Sequence, residues 1–429
     1  MKLWDKGIPT DKKTDIFTVG NDRELDLVLA PYDVIGNIAQ AKMLAKVGLI
    51  TEGEANELVK ALDEIMSDIQ KGNFTIEDSF EDVHSKVEYL LIEKSGDTGK
   101  KIHTARSRND QVITDIHLYL KAELQNIKGQ VKELFDLLIA QSKAYKNILL
   151  PGYTHFQVAM PSSFGMWFSA YAETLIDDVT LLNAALTVVD QNPLGSAAGY
   201  GSSFPIDRTF TTQEMGFATL KYNSVAAQMS RGKAEKTTAF ALASVAGTLS
   251  KLAMDITLYL SQNFNFISLP AHLTTGSSIM PHKKNPDIFE LIRGKCNKIQ
   301  ALPYEITLIT NNLPNGYHRD FQLLKEGLFP AIQTLKSCLE MAIHAVKEIT
   351  VNTNILEDKK YDYLFTVDAL NELVTQGVPF RDAYKIVGTQ VEEGTFVSPK
   401  ATNHTHEGSI NNLCLDEITA KMEKAFKDC

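Results

Sequence analysis

The feature that most constrains this chain is a set of apolar stripes that hold a helical step far longer than a small globular domain needs. Val112, Ile116, Tyr119, Leu120, Leu124, Ile127, Val131, Leu134, Leu138 and Ala140 form one such stripe, unbroken until Pro151-Gly152. Phe164, Trp167, Phe168, Tyr171, Leu175, Val179 and Leu182 form a second, which breaks at Asn192-Pro193-Leu194-Gly195. An Ala-rich helix is expected from Ala234 to about Phe264, and a last long one through Phe329, Ile332, Leu335, Leu339, Ala342, Val346 and Ile349. Globular helices usually run roughly 8–20 residues, so several longer ones predict a bundle. Apolar faces of this length are commonly buried against copies of the same chain, which predicts an oligomer.

Shorter helical patterns flank the bundle. One runs from Asp33 to Gly48. Thr51 and Glu54 read as a capping box opening a second, closed by Gly72, and a third starts at Asp82. Residues 1–30 are mixed, with a turn at Gly20-Asn21-Asp22. Beyond Asn354, helices are expected over 366–376 and 381–391, on either side of Gly377-Val378-Pro379-Phe380. The expected fold is all-α: an N-terminal helical domain over 1–111, a central helical bundle over 112–353 and a C-terminal helical domain over 354–429. No sustained period-two alternation occurs, so sheet content should be minor.

The formal charge of -10, from 43 basic and 53 acidic residues, argues against nucleic acid or an anionic membrane as the main partner. An anionic small molecule would have to meet a local cluster of positive charge. Cys296, Cys338, Cys414 and Cys429 lie far apart, with neither redox nor zinc spacing, as in a cytoplasmic protein with reduced thiols. The start, Met1-Lys2-Leu3-Trp4-Asp5-Lys6, lacks the apolar segment of a signal peptide. No apolar run approaches the roughly 20 residues of a membrane span. His404-Thr405-His406 is the only close histidine pair, and no metal site is expected. Neither a Gly-x-Gly-x-x-Gly nor a phosphate-binding loop is present. Any chemistry must therefore run on side chains without a cofactor.

The polar residues gather where the long helices break. The richest break is Thr275-Gly276-Ser277-Ser278-Ile279-Met280-Pro281-His282-Lys283-Lys284-Asn285-Pro286. Gly276 frees the backbone to turn or to offer bare N–H groups to an anion. Asn285-Pro286 reads as a helix start, with Asn at the cap and Pro at the first helical position, which puts Glu290 one turn in. Two serines and two lysines would then face the positive end of that helix, a setting suited to a substrate with several carboxylates. Other breaks carry His103 to Gln111, Gly152 to Gln157, Met229 to Lys233 and Tyr317 to Asp320.

These stretches together carry a resemblance. Residues 275–286 resemble the signature loop of the fumarase/aspartase superfamily. Glu81-Asp82-Val83-His84, the run from His103 to Val112, Pro151 to His155, Pro193-Leu194-Gly195, Glu290 to Lys295 and Gly377 to Arg381 resemble its argininosuccinate lyase family. The resemblance implies cofactor-free cleavage of argininosuccinate to arginine and fumarate through an aci-carboxylate. It also implies a long-helix bundle with small helical domains at each end, and a homotetramer whose active sites each draw on three subunits.

Matched to the family's motifs, Ser277 is the base, Lys283 and Asn285 stabilise the enolate-like carboxylate, and His155 pairs with Glu290. Ser107, Arg108, Asn109, Thr154 and Ser278 match the grip on the succinyl carboxylates. Tyr317, Gln322 and Lys325 match the arginine side, and His84 matches a supporting histidine. The chain departs from the common pattern at Asn21-Asp22-Arg23, Val158, Met160 and Gly232. The rival readings are a sister lyase acting on adenylosuccinate, aspartate or malate, or a non-catalytic relative of the crystallin kind. The retained Ser277, Lys283, His155 and Glu290 weigh against the last.

Overall fold

The computed structural model describes residues 11–427; the start of the chain and Cys429 lie outside the described residues. Two short helices, α1 (Lys12–Val19) and α2 (Asp22–Asp26), form where a mixed stretch is expected, hinged at the expected Gly20-Asn21 turn. Then come α3 (Ala30–Lys46), α4 (Glu52–Gln70) and α5 (Val83–Ser95). The capping box of α4 is formed, with Thr51 and Glu54 each bonded to the other's backbone.

The bundle is built from α6 (Arg108–Tyr145), α7 (Phe164–Val189), α10 (Lys233–Tyr259), the pair α11 (Asp287–Ile299) and α12 (Leu302–Thr310), and α13 (Leu324–Lys347). Between α7 and α10 lie the short α8 (Arg208–Glu214) and α9 (Ser224–Gln228). Side-chain bonds fix the directions. Ser142 in α6 meets Gly165 in α7, and His117 meets Val189, so the two run antiparallel. Asp255 in α10 accepts from Trp167 and Tyr171, and Asp178 in α7 accepts from Ser244, so α10 turns back again. Arg293 beside Met254 and Asn297 beside Ser250 make α11 antiparallel to α10. Lys336 on Glu123 and Gln141 on Val346 set α13 parallel to α6.

The sequence stripes are the buried faces. Ile116, Leu124, Ile127, Val131, Leu134 and Leu138 of α6 are all buried, as are Leu175, Val179 and Leu182 of α7. Each such side chain contributes on the order of 1.5–3 kcal/mol by leaving water. Among the described residues, α10 alone has the length and mean hydropathy, 1.3, of a membrane span, although no such run is expected from the sequence. Its apolarity is explained by its place between α7, α11 and α13 in the bundle.

Three two-stranded sheets make up the strand content of the described residues. One was unforeseen: β1 (Leu149–Thr154) and β2 (Gln157–Ser163) form an antiparallel hairpin in which Thr154 pairs with Gln157. The turn residues His155 and Phe156 have φ of 54° and 58°. Both positions of such a tight turn need positive φ, which Asn-Gly usually supplies, so this turn is strained. The others are β3 (Gln191–Asn192) with β4 (Thr219–Leu220), and β5 (Ile267–Ser268) with β6 (Thr350–Val351).

Beyond the bundle, α14 (Thr366–Thr375) and α15 (Phe380–Glu392) bury Leu370, Ala383 and Val387 in a small core of their own. The last helix, α16 (Leu415–Lys427), lies instead on α7, where Asn183 donates to the Ala425 carbonyl at 2.7 Å and Lys421 pairs with Glu173 at 2.5 Å.

Candidate active site

The first turn of α6 builds one wall of a polar cavity. Ser107 caps that helix, its hydroxyl accepting from the Asn109 amide, and Asp110 returns a bond to the Ser107 amide. The other oxygen of Asp110 accepts from the Gly195 and Ala197 amides at 3.0 and 2.8 Å, tying the 193–199 loop to this turn. Burial pushes the Asp110 carboxyl up to about 6 despite those three amides.

The cavity holds about 110 Å³ and is lined by His84, Arg108, Asn109, Tyr317, Gln322 and Lys325, six of the residues singled out in the sequence. Four carboxylates with no role among the expected site residues line it too: Asp22, Asp26, Glu81 and Asp82. They hold its cations. Lys325 Nζ lies 2.7 Å from Asp22 and 2.6 Å from Asp26. Arg108 is 3.0 Å from Asp82 and 3.3 Å from Glu81, and Arg319 is 2.6 Å from Glu81. Burial raises Asp22 to about 6, against the pull of Lys325. Gln322 donates to the Thr18 and Val19 carbonyls, so the α1–α2 turn straps the cavity's rim.

Arg231 stands beside one departure in the sequence. Its guanidinium pairs with Glu235 at 2.8 Å, four residues on, whereas the common pattern has an acidic residue directly after the arginine, where Gly232 stands here. Gly232 has φ of 79°, and a Cβ there would lie 2.8 Å from Thr310 Cγ2. Only glycine fits this backbone.

The signature loop is a closed turn at the far end of the bundle. Thr275 and Asn285 bridge its neck through paired backbone bonds of 3.2 and 2.8 Å, and Thr275 also bonds Asp287. Ser277 Oγ accepts from the Met280 amide at 3.1 Å and the Ile279 amide at 3.4 Å. These amides, not bare ones beside Gly276, face the hydroxyl. Ser278, Lys283 and Glu290 are exposed, and Ser277 and Asn285 are half-buried. The expected cap is displaced by one residue: Pro286 stands at the cap with φ -85° and ψ 46°, Asp287 opens the helix, and Asn285 turns its amide back to Gly276. Glu290 does lie in the first turn.

Thr154 and His155 are exposed on the β1–β2 turn. Among the described residues His155 and Glu290 form no ion pair in a single chain. The structure thus divides the sequence-derived set. The cavity gathers residues from the starts of α6 and α13, where α10 also begins. The signature loop follows the end of α10, and the hairpin follows the end of α6. These ends are separated by the length of α10, about 40 Å for its 27 residues at the helical rise.

Behind His84 the helices converge in a way no local spacing revealed. Its Nδ1 lies 2.8 Å from Asp33 Oδ1 of α3 and 3.5 Å from Asp115 Oδ2 of α6, all three side chains being buried. Their donor atoms fall within 4.8 Å of one another. Nδ1 is spent on Asp33, so this is a hydrogen-bonded group rather than a ligand set. In the tail, His404 bonds Asp368 at 2.6 Å and His406 bonds its neighbour's carbonyl, so the pair does not converge.

A family described as Lyase matches residues 6–301. Among solved structures, a variant of EDDS lyase with bound fumarate superposes with a TM-score of 0.77 at 20% identity, covering 98% of this chain and 90% of that one. The class II fumarase of Schistosoma mansoni gives 0.74 at 19% identity, over 98% and 97% of the two chains. Fold, signature loop and family match define a lyase of the fumarase/aspartase superfamily.

Its relatives are more specific. The chain is 57% identical to an argininosuccinate lyase of Parabacteroides distasonis, over 99% of this chain and 95% of that protein. It is 39% identical to one of Thermotoga neapolitana, over 90% and 97%. The chain belongs to the argininosuccinate lyase family.

Proposed function

We propose that this chain cleaves argininosuccinate to arginine and fumarate, an activity of arginine biosynthesis, by elimination on side chains alone. The observation that carries the mechanism is the Ser277 hydroxyl, which receives two backbone N–H groups inside a closed loop bearing Lys283. Serine is a poor base at its ordinary pKa, and donors aimed at its oxygen favour the alkoxide.

The alkoxide takes a proton from the succinyl carbon beside a carboxylate. The electron pair moves into that carboxylate as the aci form, where Lys283 and Asn285 stabilise the added charge. Preorganised donors of this kind usually supply the largest share of catalysis. Collapse of the intermediate forms the carbon–carbon double bond of fumarate and breaks the carbon–nitrogen bond. The leaving guanidino nitrogen then receives a proton. His155, oriented by Glu290, is suited to donate it or to hold a carboxylate. Ser107, Arg108, Asn109, Thr154 and Ser278 hold the succinyl carboxylates. Tyr317, Gln322 and Lys325 receive the arginine portion.

One chain cannot close this site, because its two halves stand about 40 Å apart and the cavity's cations are already paired with carboxylates. A homotetramer that brings loop, hairpin turn and cavity together from three chains supplies the missing positive charge of Lys283 and Lys284. The cytoplasm suits its reduced thiols. Fumarate release, followed by ultraviolet absorbance, should occur from argininosuccinate and not from adenylosuccinate, aspartate or malate. Release from one of the others instead would assign a sister lyase.

A further inference from the structure

We propose that Asp33 and Asp115 are positioning residues that hold His84 as an imidazolium, its Nε2–H turned into the cavity to receive one carboxylate of the substrate. This rests on the lyase reading above. Asp33 Oδ1 accepts from His84 Nδ1 at 2.8 Å and from Gln111 Nε2 at 2.6 Å, and its Oδ2 accepts from Asn37 Nδ2 at 2.9 Å. That carboxylate is therefore fixed on both oxygens. His84 lines the cavity, and among the described residues its Nε2 takes no hydrogen bond.

Asp115 supplies the second observation. It is 1% exposed, and as a carboxylate neither of its oxygens has a hydrogen-bond donor. A buried carboxylate left so is costly, and two of them beside one imidazole would overload the site. The arrangement closes if Asp115 keeps its proton and turns it toward Asp33, a carboxylate oxygen of which lies within 4.8 Å. The trio then carries one negative and one positive charge, with Asp115 neutral.

The charged surroundings agree with this. Burial pushes the His84 imidazole down, but the charge and bond of Asp33, with Asp82 and Asp26, outweigh it and raise its pKa. Burial and the Asp33 charge push the Asp115 carboxyl well up, opposed by Arg106. Burial also opposes ionisation of Asp33, yet His84 and Arg106 hold it below the ordinary range. Arg108, Lys325, Arg319 and Arg231, which also line the cavity, are tied to Asp82, Asp26, Glu81 and Glu235. His84 keeps its Nε2 open to a ligand.

The test has two readouts. In the full-length protein labelled with carbon-13 at histidine Cε1, and with His84→Gln to assign the signal, His84 should read as imidazolium at pH 7.5. Asp33→Asn should shift its titration down by at least one pH unit and move the alkaline limb of kcat/KM with it. KM for argininosuccinate should rise tenfold or more, while kcat changes less. Asp115→Asn keeps a neutral donor toward Asp33 and should move the His84 titration and KM by less than Asp33→Asn does. A neutral His84 in the parent at pH 7.5 would overturn the proposal, even if Asp33→Asn fails to fold. So would an Asp115→Asn effect equal to that of Asp33→Asn. If the parent releases no fumarate from argininosuccinate, the lyase reading fails, and the His84 signal still decides the protonation claim.

Discussion

Lys325 and Asp26 are joined by a buried ion pair of 2.6 Å that bridges 299 positions of sequence and anchors α2 to the start of α13. Burial opposes the charge on Lys325, but Asp26 and Asp22 outweigh it and hold its pKa above the ordinary value. Removing one member of such a pair strands the other. Lys325→Met should therefore cost about 3–5 kcal/mol of stability. The double variant with Asp26→Asn should cost clearly less than the sum of the single changes. Denaturant midpoints of the four proteins measure this coupling, and additive losses would refute it.

Gly232→Ala should destabilise by roughly 1–3 kcal/mol, because φ of 79° and the 2.8 Å approach to Thr310 combine. Gly294→Ala is the control, since a Cβ there meets nothing within 4 Å and α11 is helical at that point. Its stability should be unchanged or slightly greater. Thermal unfolding of both variants distinguishes the two cases.

The stability should also fall in mild acid through His117. This ring, between the Val189 carbonyl and Ser230, is pushed down to about 4 by burial, although the Val189 bond pulls the other way. The neutral ring is favoured in the folded state, so the unfolded chain binds the extra proton first. Its contribution is full above pH 6.5 and is lost as the pH falls toward 4, amounting to roughly 3 kcal/mol. Urea unfolding of His117→Gln should give a flatter stability curve than the parent across that window.

Ser277→Ala should abolish fumarate release while folding and assembly persist. The hydroxyl is half-buried in an exposed loop, and its bonds there are two acceptances from amides. Turnover near the parent rate would remove Ser277 as the base.

Helices were the most legible part of the sequence, because a 3.6-residue period is written locally. The stripe from Val112 to Ala140 falls within α6, and Thr51 with Glu54 caps α4 as expected. The hairpin at Thr154–Gln157 was not legible, since His155-Phe156 is an unusual pair for a two-residue turn and its strain is set by context. The cap at residue 285 was misplaced because Asn285 spends its side chain on the loop's neck. The cavity residues could be picked out by resemblance, but their partners could not. Asp22, Asp26, Glu81, Asp33 and Asp115 meet them only where segments distant in sequence pack together.

The central claim is that a working site unites the Ser277 loop of one chain with the Arg108 cavity of another. Ser277→Ala and Arg108→Gln proteins should each be nearly inactive with argininosuccinate. Unfolded together and refolded as a mixture, they should regain a sizeable fraction of the parent's fumarate release, because some hybrid sites take both intact halves. A mixture no more active than its components would contradict the account.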